Sequence, residues 1–166
     1  MIEAVVEIPM GSRNKYEYDP HTGTFRLDRV LFSSVHYPTD YGLIPNTLAE
    51  DGDHLDVLVA VHEPTFPGCR ILVRPVGVLH MKDEHGTDEK ILAVPVRDPR
   101  FDEIQDIGDV PHHVLREIEN FFDTYKMLED KVATTTGWSD AAEAWRVIAE
   151  AQERYGEQPA EGHREP

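Results

Sequence analysis

Three carboxylates fall within six residues in Asp51-Gly-Asp53-His-Leu-Asp56, on a tight turn that runs straight into the apolar residues 57–61. Anions crowded this closely repel one another. A hard divalent cation relieves that repulsion well, because Mg²⁺ prefers carboxylate oxygen and water. The same hexapeptide also suits a solvated acidic hairpin turn, since Asp-Gly is a common turn dipeptide. An EF-hand calcium loop does not fit. It needs Gly at loop position six and Glu at twelve, and counting from Asp51 those places hold Asp56 and His62.

Further polar side chains stand where core-making strands are expected to be apolar. Glu7 ends a first apolar run, and Lys15 and Glu17 lie two apart in a β segment, so both face one side. Arg29 follows the next strand, and Tyr37 and Tyr41 bracket a Pro-containing turn. Asp83, Asp88 and Lys90 come later, and Tyr125 and Lys126 close a helical pattern. Each has a plain reading alone: Lys15 and Glu17 as a surface pair, Tyr125 as the end of an apolar stripe. Together the carboxylates, cations and phenols suit a multi-metal site that grips a compact polyanion.

The elements that must position these groups read as strands first and helices last. Residues 3–8 form a strand stopped by Pro9. Residues 15–19 and 24–28 flank a hairpin turn at His21-Thr-Gly23. Residues 57–61, 71–79 and 90–96 are Val/Ile/Leu-rich runs of strand length, with residues 82–89 as a polar loop. Pro75 and Pro95 predict bulges, edges or strand ends. Asp109 is placed to cap a helix with Pro111 in its first turn, with Val114, Leu115, Ile118, Phe121, Phe122 and Tyr125 as one apolar face. A second helix begins near Ser139 or Asp140, with Ala144, Trp145, Ile148, Ala151 and Tyr155 as its stripe. No repeat or linker divides the chain, so residues 1–155 read as a single domain and 156–166 as a disordered polar tail. This order points to α+β with a closed or strongly curved antiparallel sheet.

The length of 166 residues allows one sizeable core. A net charge of −16 argues against nucleic acid or an anionic membrane as partner. The acidic start is not expected to be a signal peptide, and no apolar run reaches the ~18 residues of a membrane helix. Cys69 is the single cysteine, expected as a small core residue, so no intrachain disulfide can form and a cytoplasmic location fits.

The order Glu7-Ile-Pro9, Lys15-Tyr-Glu17, Asp28-Arg29, Tyr37-Pro38, Tyr41-Gly42, the Asp51–Asp56 hexapeptide, Asp83-Glu84, Asp88-x-Lys90 and Phe121-Phe-x-x-Tyr125-Lys126 resembles the family I soluble inorganic pyrophosphatases in their short bacterial form. The resemblance implies a five-stranded OB-like closed β-barrel with two C-terminal helices packed outside, and a homohexamer. It implies Mg²⁺-dependent hydrolysis of inorganic pyrophosphate by a metal-bridged water, with several Mg²⁺ per subunit, Mn²⁺ as a possible substitute and Ca²⁺ as an inhibitor. On this match Asp53 is the general base. Asp51, Asp56, Asp83, Asp88, Glu17 and Glu7 hold or support the metals. Lys15, Arg29, Tyr41, Lys90, Tyr125 and Lys126 bind the phosphoryl groups, and Tyr37 lines the same cavity. The chain departs from the family's pattern at His54, where a more mobile turn is expected, at Met127, and in residues 132–137, which lack a lysine. Two other readings stand beside this one: a non-catalytic divalent-metal or anion-binding protein on the same fold, and a metal-dependent phosphohydrolase of nucleotides or polyphosphate. The nucleotide form would need a base-stacking surface, and no aromatic cluster lies near the motifs along the chain.

Overall fold

In the computed structural model, which describes residues 1–158, the chain is built around β1 (Ile2–Ile8), β4 (Asp40–Ile44), β5 (Leu55–Val59), β6 (Arg70–Asp83) and β7 (Gly86–Pro95). These pair in the order β1-β4-β5-β7-β6, and β6 pairs back onto β1, so the five strands form a ring. The sheet is mixed rather than purely antiparallel, because β5 and β7 run parallel. That follows from the β6–β7 hairpin, which brings β7 back beside β5. β8 (Thr134–Asp140) adds to the outer edge of β6. β2 (Asn14–Asp19) and β3 (Thr24–Val30) form a separate two-stranded sheet. Two helices follow the ring: α1 (His112–Thr124) and α2 (Ala141–Gly156).

Both faces of the ring strands are buried, as their near-continuous apolar runs require. Along β7, Leu92 and Val94 enter the cluster shared with α1, while Ile91 and Ala93 enter the one shared with α2. Side-chain alternation alone would not keep this order, and bulges in β1 and β6 correct it. Glu7 is the extra residue where β1 pairs with β4, so Ala4 and Ile8 fall in different clusters although they lie four apart. Val76 is extra where β6 pairs with β7, directly after Pro75. This bulge turns Leu79, Met81 and then Asp83 to the α1 face. Asp28 is extra in β3, which leaves the alternation of Lys15 and Glu17 in β2 intact.

Several expectations need correction. Residues 82–89 are not a loop: β6 and β7 run through them, leaving a turn at Glu84-His85. Asp109 ends a 3-10 turn that Asp106 caps, and Pro111 sits at the N-cap of α1. Val114 and Trp145 are exposed. The buried face of α2 instead runs through Ala144, Val147, Ile148 and Ala151, and Trp145 is rotated about 100° off Ala144. Cys69 is only half-buried, on the turn before β6. β4 and β8 have no counterpart among the expected strands. Asp140 does cap α2, accepting from Glu143 N at 3.0 Å. Gly156 belongs to α2, and residues 159–166 of the expected tail lie outside the described residues.

Gly42 shows how tightly β1 and β4 approach. A Cβ there would stand 1.9 Å from Val5 O and 2.9 Å from Val6 Cα, both backbone atoms that cannot yield. Gly42→Ala is therefore expected to cost at least about 3 kcal/mol or to prevent folding. Urea unfolding of the two proteins measures this; a loss below about 1 kcal/mol would show that the strands separate easily.

Candidate functional site

The α1-facing surface of the ring changes from apolar to charged at one end. On β5, Leu58 lies in the core and Asp56, two residues earlier, emerges from it. On β7 the same face runs Val94, Leu92, Lys90 and Asp88. On β6 it runs Leu79, Met81 and Asp83. The parallel register sets Asp56 directly opposite Lys90. This end opens into a cavity of about 470 Å³. Every candidate residue except Tyr37 lines it.

Lys90 is the buried charge of the site, with 2% of its surface exposed. Its Nζ lies 2.9 Å from Asp56 Oδ2, 3.0 Å from Asp88 Oδ2 and 2.9 Å from the Tyr41 hydroxyl. It also sits 5.1 Å and 5.0 Å from the ring centres of Tyr41 and Phe122. Burial alone would depress its pKa, but Asp56, Tyr41 and Asp88 outweigh that and hold it well above the ordinary lysine range. Burial raises Asp56, with Asp88 adding to the shift and Lys90 opposing it. Burial likewise pushes Tyr41 far up. So Lys90 lines the cavity but is committed to its carboxylate neighbours.

The β4–β5 loop carries Asp51 and Asp53 and is firmly held. Thr47 is fully buried; its hydroxyl donates to Ile44 O at 2.5 Å and accepts from Leu55 N at 2.9 Å, stapling the loop ends. α2 braces the loop through Leu48 N to Ala151 O at 2.9 Å and Arg154 Nε to Leu48 O at 2.9 Å. Gly52, at φ 91°, makes the turn, and Asp51 Oδ1 accepts from Asp53 N at 3.0 Å. His54 does not loosen this turn: its Nδ1 lies 3.0 Å from Thr47 O. Asp53 is exposed toward the cavity and outside the Lys90 network. Partial burial and Asp51 raise its pKa from the usual aspartate value, against His54.

The β2–β3 hairpin and the end of α1 bring cations to the lining. The β2–β3 hairpin supplies Lys15 and Arg29, both held by Asp28, at 3.5 Å and 2.6 Å. The C-terminal end of α1 supplies Tyr125 and Lys126, with Lys126 Nζ 3.6 Å from Glu84. Lys131, Glu84, Tyr16 and Tyr18 also line the cavity and were not among the candidates. Lys131 directly precedes the lysine-poor residues 132–137, and Tyr16 and Tyr18 share the hairpin strand of Lys15, which is the signal that could have found them. Met127 is exposed and absent from the lining.

Tyr37 is the misplaced candidate. It is 1% exposed and packs on Phe121 at 4.7 Å and Tyr41 at 5.3 Å between ring centres. Its ring fills the core under the site, which is why it does not reach the lining. The expectation of no aromatic cluster near the motifs is also overturned. Tyr37, Tyr41, Phe121, Phe122 and Tyr125 form one directly beneath the cavity. Tyr41 and Tyr125 carry this cluster up to the cavity lining, while Tyr37, Phe121 and Phe122 pack below them.

The donor set around the cavity is mainly carboxylate: Glu7, Glu17, Asp51, Asp53, Asp56, Asp83 and Asp88. Such hard oxygen donors fit a hard divalent cation. They ring the cavity rather than converge, and among the described residues no three or more His, Cys, Asp or Glu form a ready ligand group. That spacing suits an ion such as Mg²⁺, which keeps several waters and takes only one or two carboxylates directly.

The bulge at Glu7 turns its carboxylate off the ladder to accept from Tyr18 N at 2.9 Å, which ties the hairpin to the ring. Burial, with Asp56 and Glu17 adding to it, raises Glu7 to about 7, against Tyr18 N and Lys15. A carboxyl raised on folding stabilises fully below its unfolded pKa near 4.5, and that stability is lost as pH rises through about 7. In metal-free protein, Glu7→Gln should therefore match the parent at pH 4 and exceed it at pH 8, by at most about 3 kcal/mol. Thermal melts at the two pH values check this; equal midpoints at pH 8 would show that Glu7 is not raised.

Comparison with known proteins comes to the same place. The family model described as inorganic pyrophosphatase matches residues 4–156. A Methanosarcina mazei protein named inorganic pyrophosphatase is 56% identical over 154 residues, covering 93% of this chain and 91% of its own. One from Leifsonia xyli subsp. xyli is 54% identical over 162 residues, covering 97% and 98%. The crystal structure of inorganic pyrophosphatase from Thermus thermophilus superposes with a TM-score of 0.91 at 50% identity, covering 93% of this chain and 90% of that one.

Proposed function

The chain belongs to the inorganic pyrophosphatase family and hydrolyses pyrophosphate, and we propose that it does so in the cavity described, with Asp53 as general base. The observation that supports this siting is that carboxylates and Lys, Arg and Tyr side chains together line one 470 Å³ cavity. Pyrophosphate resists water because its negative oxygens repel a nucleophile, and opposed cations remove that barrier.

Lys15, Arg29, Tyr125 and Lys126 hold the two phosphoryl groups from the cationic wall, and Tyr41 supports them from the ring. The family is metal-dependent, and on this reading the metal is Mg²⁺, held by Asp51, Asp56, Asp83, Asp88 and Glu17 with Glu7 in support, several ions to a subunit. Bound there, it would neutralise phosphoryl oxygens and lower the pKa of the attacking water. Asp53, unshared with Lys90 and exposed to the cavity, takes the proton of that water as it attacks phosphorus. The P–O–P bond breaks toward the leaving phosphate, which Tyr125 and Lys126 receive. Lys90 neutralises Asp56 and Asp88 in the absence of cation and turns to the phosphoryl oxygens once those carboxylates are otherwise compensated. The same reading takes the ring as an OB-like closed barrel and the assembly as a cytoplasmic homohexamer.

Phosphate release from pyrophosphate, compared with ATP and tripolyphosphate under Mg²⁺, tests substrate choice; equal rates on all three would sink the assignment. Asp53→Asn should lower kcat by roughly 10²–10⁴-fold while Mg²⁺ affinity by titration stays nearly intact. Near-normal turnover would remove Asp53 from the role of base. Mn²⁺ should support activity, whereas Ca²⁺ should compete for the site and inhibit, because its longer and more flexible coordination misplaces the reacting groups. Turnover with Ca²⁺ equal to that with Mg²⁺ would contradict this.

A further inference from the structure

The β2–β3 hairpin is hydrogen-bonded as a sheet of its own, so the cations it brings to the cavity need anchors on the ring side. Arg29 has a carboxylate on two of its edges. Asp28 Oδ2 lies 2.6 Å from Nη1, and Glu129 Oε1 lies 2.8 Å from Nε. Asp28 is its neighbour in β3. Glu129 is not: it closes the 3-10 turn Met127–Glu129, directly after Tyr125 and Lys126.

Glu129 does not line the cavity, and its side chain is only 6% exposed. Its Oε2 is buried without a hydrogen-bond partner, and Arg29 Nε makes no directed hydrogen bond. The contact is thus an ion pair by proximity. A carboxylate left half-satisfied in a nearly dry position destabilises the fold. A hydrophobic side chain would serve packing better there. What the carboxylate does offer is a fixed direction for Arg29. With Glu129 beside Nε and Asp28 on Nη1, Nη2 is the edge left for an incoming anion. The same pair joins the hairpin to the turn that directly follows Tyr125 and Lys126. Asp28 and Glu129 together offset the charge of Arg29, so the contribution is one of orientation rather than added positive potential.

We propose that Glu129 is a positioning residue for pyrophosphate hydrolysis, holding the Arg29 guanidinium in the geometry that receives a phosphoryl group. This rests on the reading that Arg29 binds substrate. Glu129 itself touches neither substrate nor reacting atoms.

The test is a double-mutant cycle of Glu129→Gln and Arg29→Gln, read by kcat and KM for pyrophosphate and by calorimetric titration with inorganic phosphate. Thermal melts confirm that each variant is folded. Glu129→Gln should raise KM roughly 3- to 10-fold and weaken phosphate binding to a similar extent, with kcat changed less than about 2-fold. In the Arg29→Gln background the same change should add nothing. Glu129→Asp, which keeps the charge but withdraws it by one methylene, should fall between; it carries the cycle if Glu129→Gln melts below the assay temperature. Unchanged KM and phosphate affinity on altering Glu129 would overturn the proposal, and so would an effect that adds fully to that of Arg29→Gln. If Arg29→Gln alone leaves both readouts at the parent value, the substrate role of Arg29 fails first and the inference falls with it.

Discussion

A single buried ammonium makes the charged end of this ring possible. Asp56 and Asp88 emerge from adjacent strands on the same face, where two carboxylates in partly dry surroundings would repel each other strongly. Lys90 lies within 3.0 Å of both and is itself almost wholly buried. Neither the lysine nor the pair of aspartates would be tolerable alone, since an unpaired buried charge costs several kcal/mol. The parallel β5–β7 ladder sets Asp56 opposite Lys90, and the two-residue repeat of β7 brings Asp88 to the same side. The single parallel pair in the ring is therefore the one that assembles the counter-ion of the site.

The bulges do complementary work. A strand shows alternate side chains to opposite faces, and one extra residue exchanges the faces from that point on. Without Val76, β6 would carry Asp83 to the α2 side, away from Asp88 and Asp56. At Glu7 the extra residue frees a carboxylate from the ladder so that it can hold Tyr18 N on the hairpin. On β5, β6 and β7 the apolar core and the polar cavity then share a face by plain alternation, and the Val76 bulge decides which face that is on β6.

How much of this is visible in the amino-acid sequence depends on how local the signal is. The Asp51–Asp56 loop, the hairpin at His21–Gly23 and the apolar runs of β5, β6 and β7 are written in neighbouring residues. Pro75 marks its bulge for the same reason. β8 is not visible, because Thr134-Thr-Thr-Gly137 reads as loop and becomes strand only by pairing with β6. β4 is obscured by Asp40 and Gly42. Asp40 is buried, yet it is satisfied by Met10 N at 2.8 Å and the Thr65 hydroxyl at 2.6 Å, partners far away in the chain. Tyr37 fails for a different reason: its place in the motif order is the same whether its ring faces the cavity or the core, and only packing against Phe121 decides. Residues 82–89 mislead by composition. Their charges belong to strands whose outer parts are wet and whose inward positions serve the cavity.

The carboxylate and cationic walls of the cavity differ in how they are built, and on the proposed reading the difference matches what each must do. The carboxylate wall rests on ring strands and on a loop stapled by Thr47 and braced by α2, so the spacing of its oxygens is set by the core. An ion such as Mg²⁺ demands near-ideal octahedral geometry. The cationic wall rests partly on a separate hairpin, joined to the rest near the site by Glu7 and Glu129. Long Lys and Arg side chains tolerate a degree of movement and lose rotamer freedom when they close on an anion. On that reading, a frame built on the core where it meets the metal and on a separate hairpin where it meets the phosphoryl groups suits a compact polyanion that leaves as two smaller ones. The first part follows from burial of the ring strands on both faces, and the second from leaving β2 and β3 outside the ring.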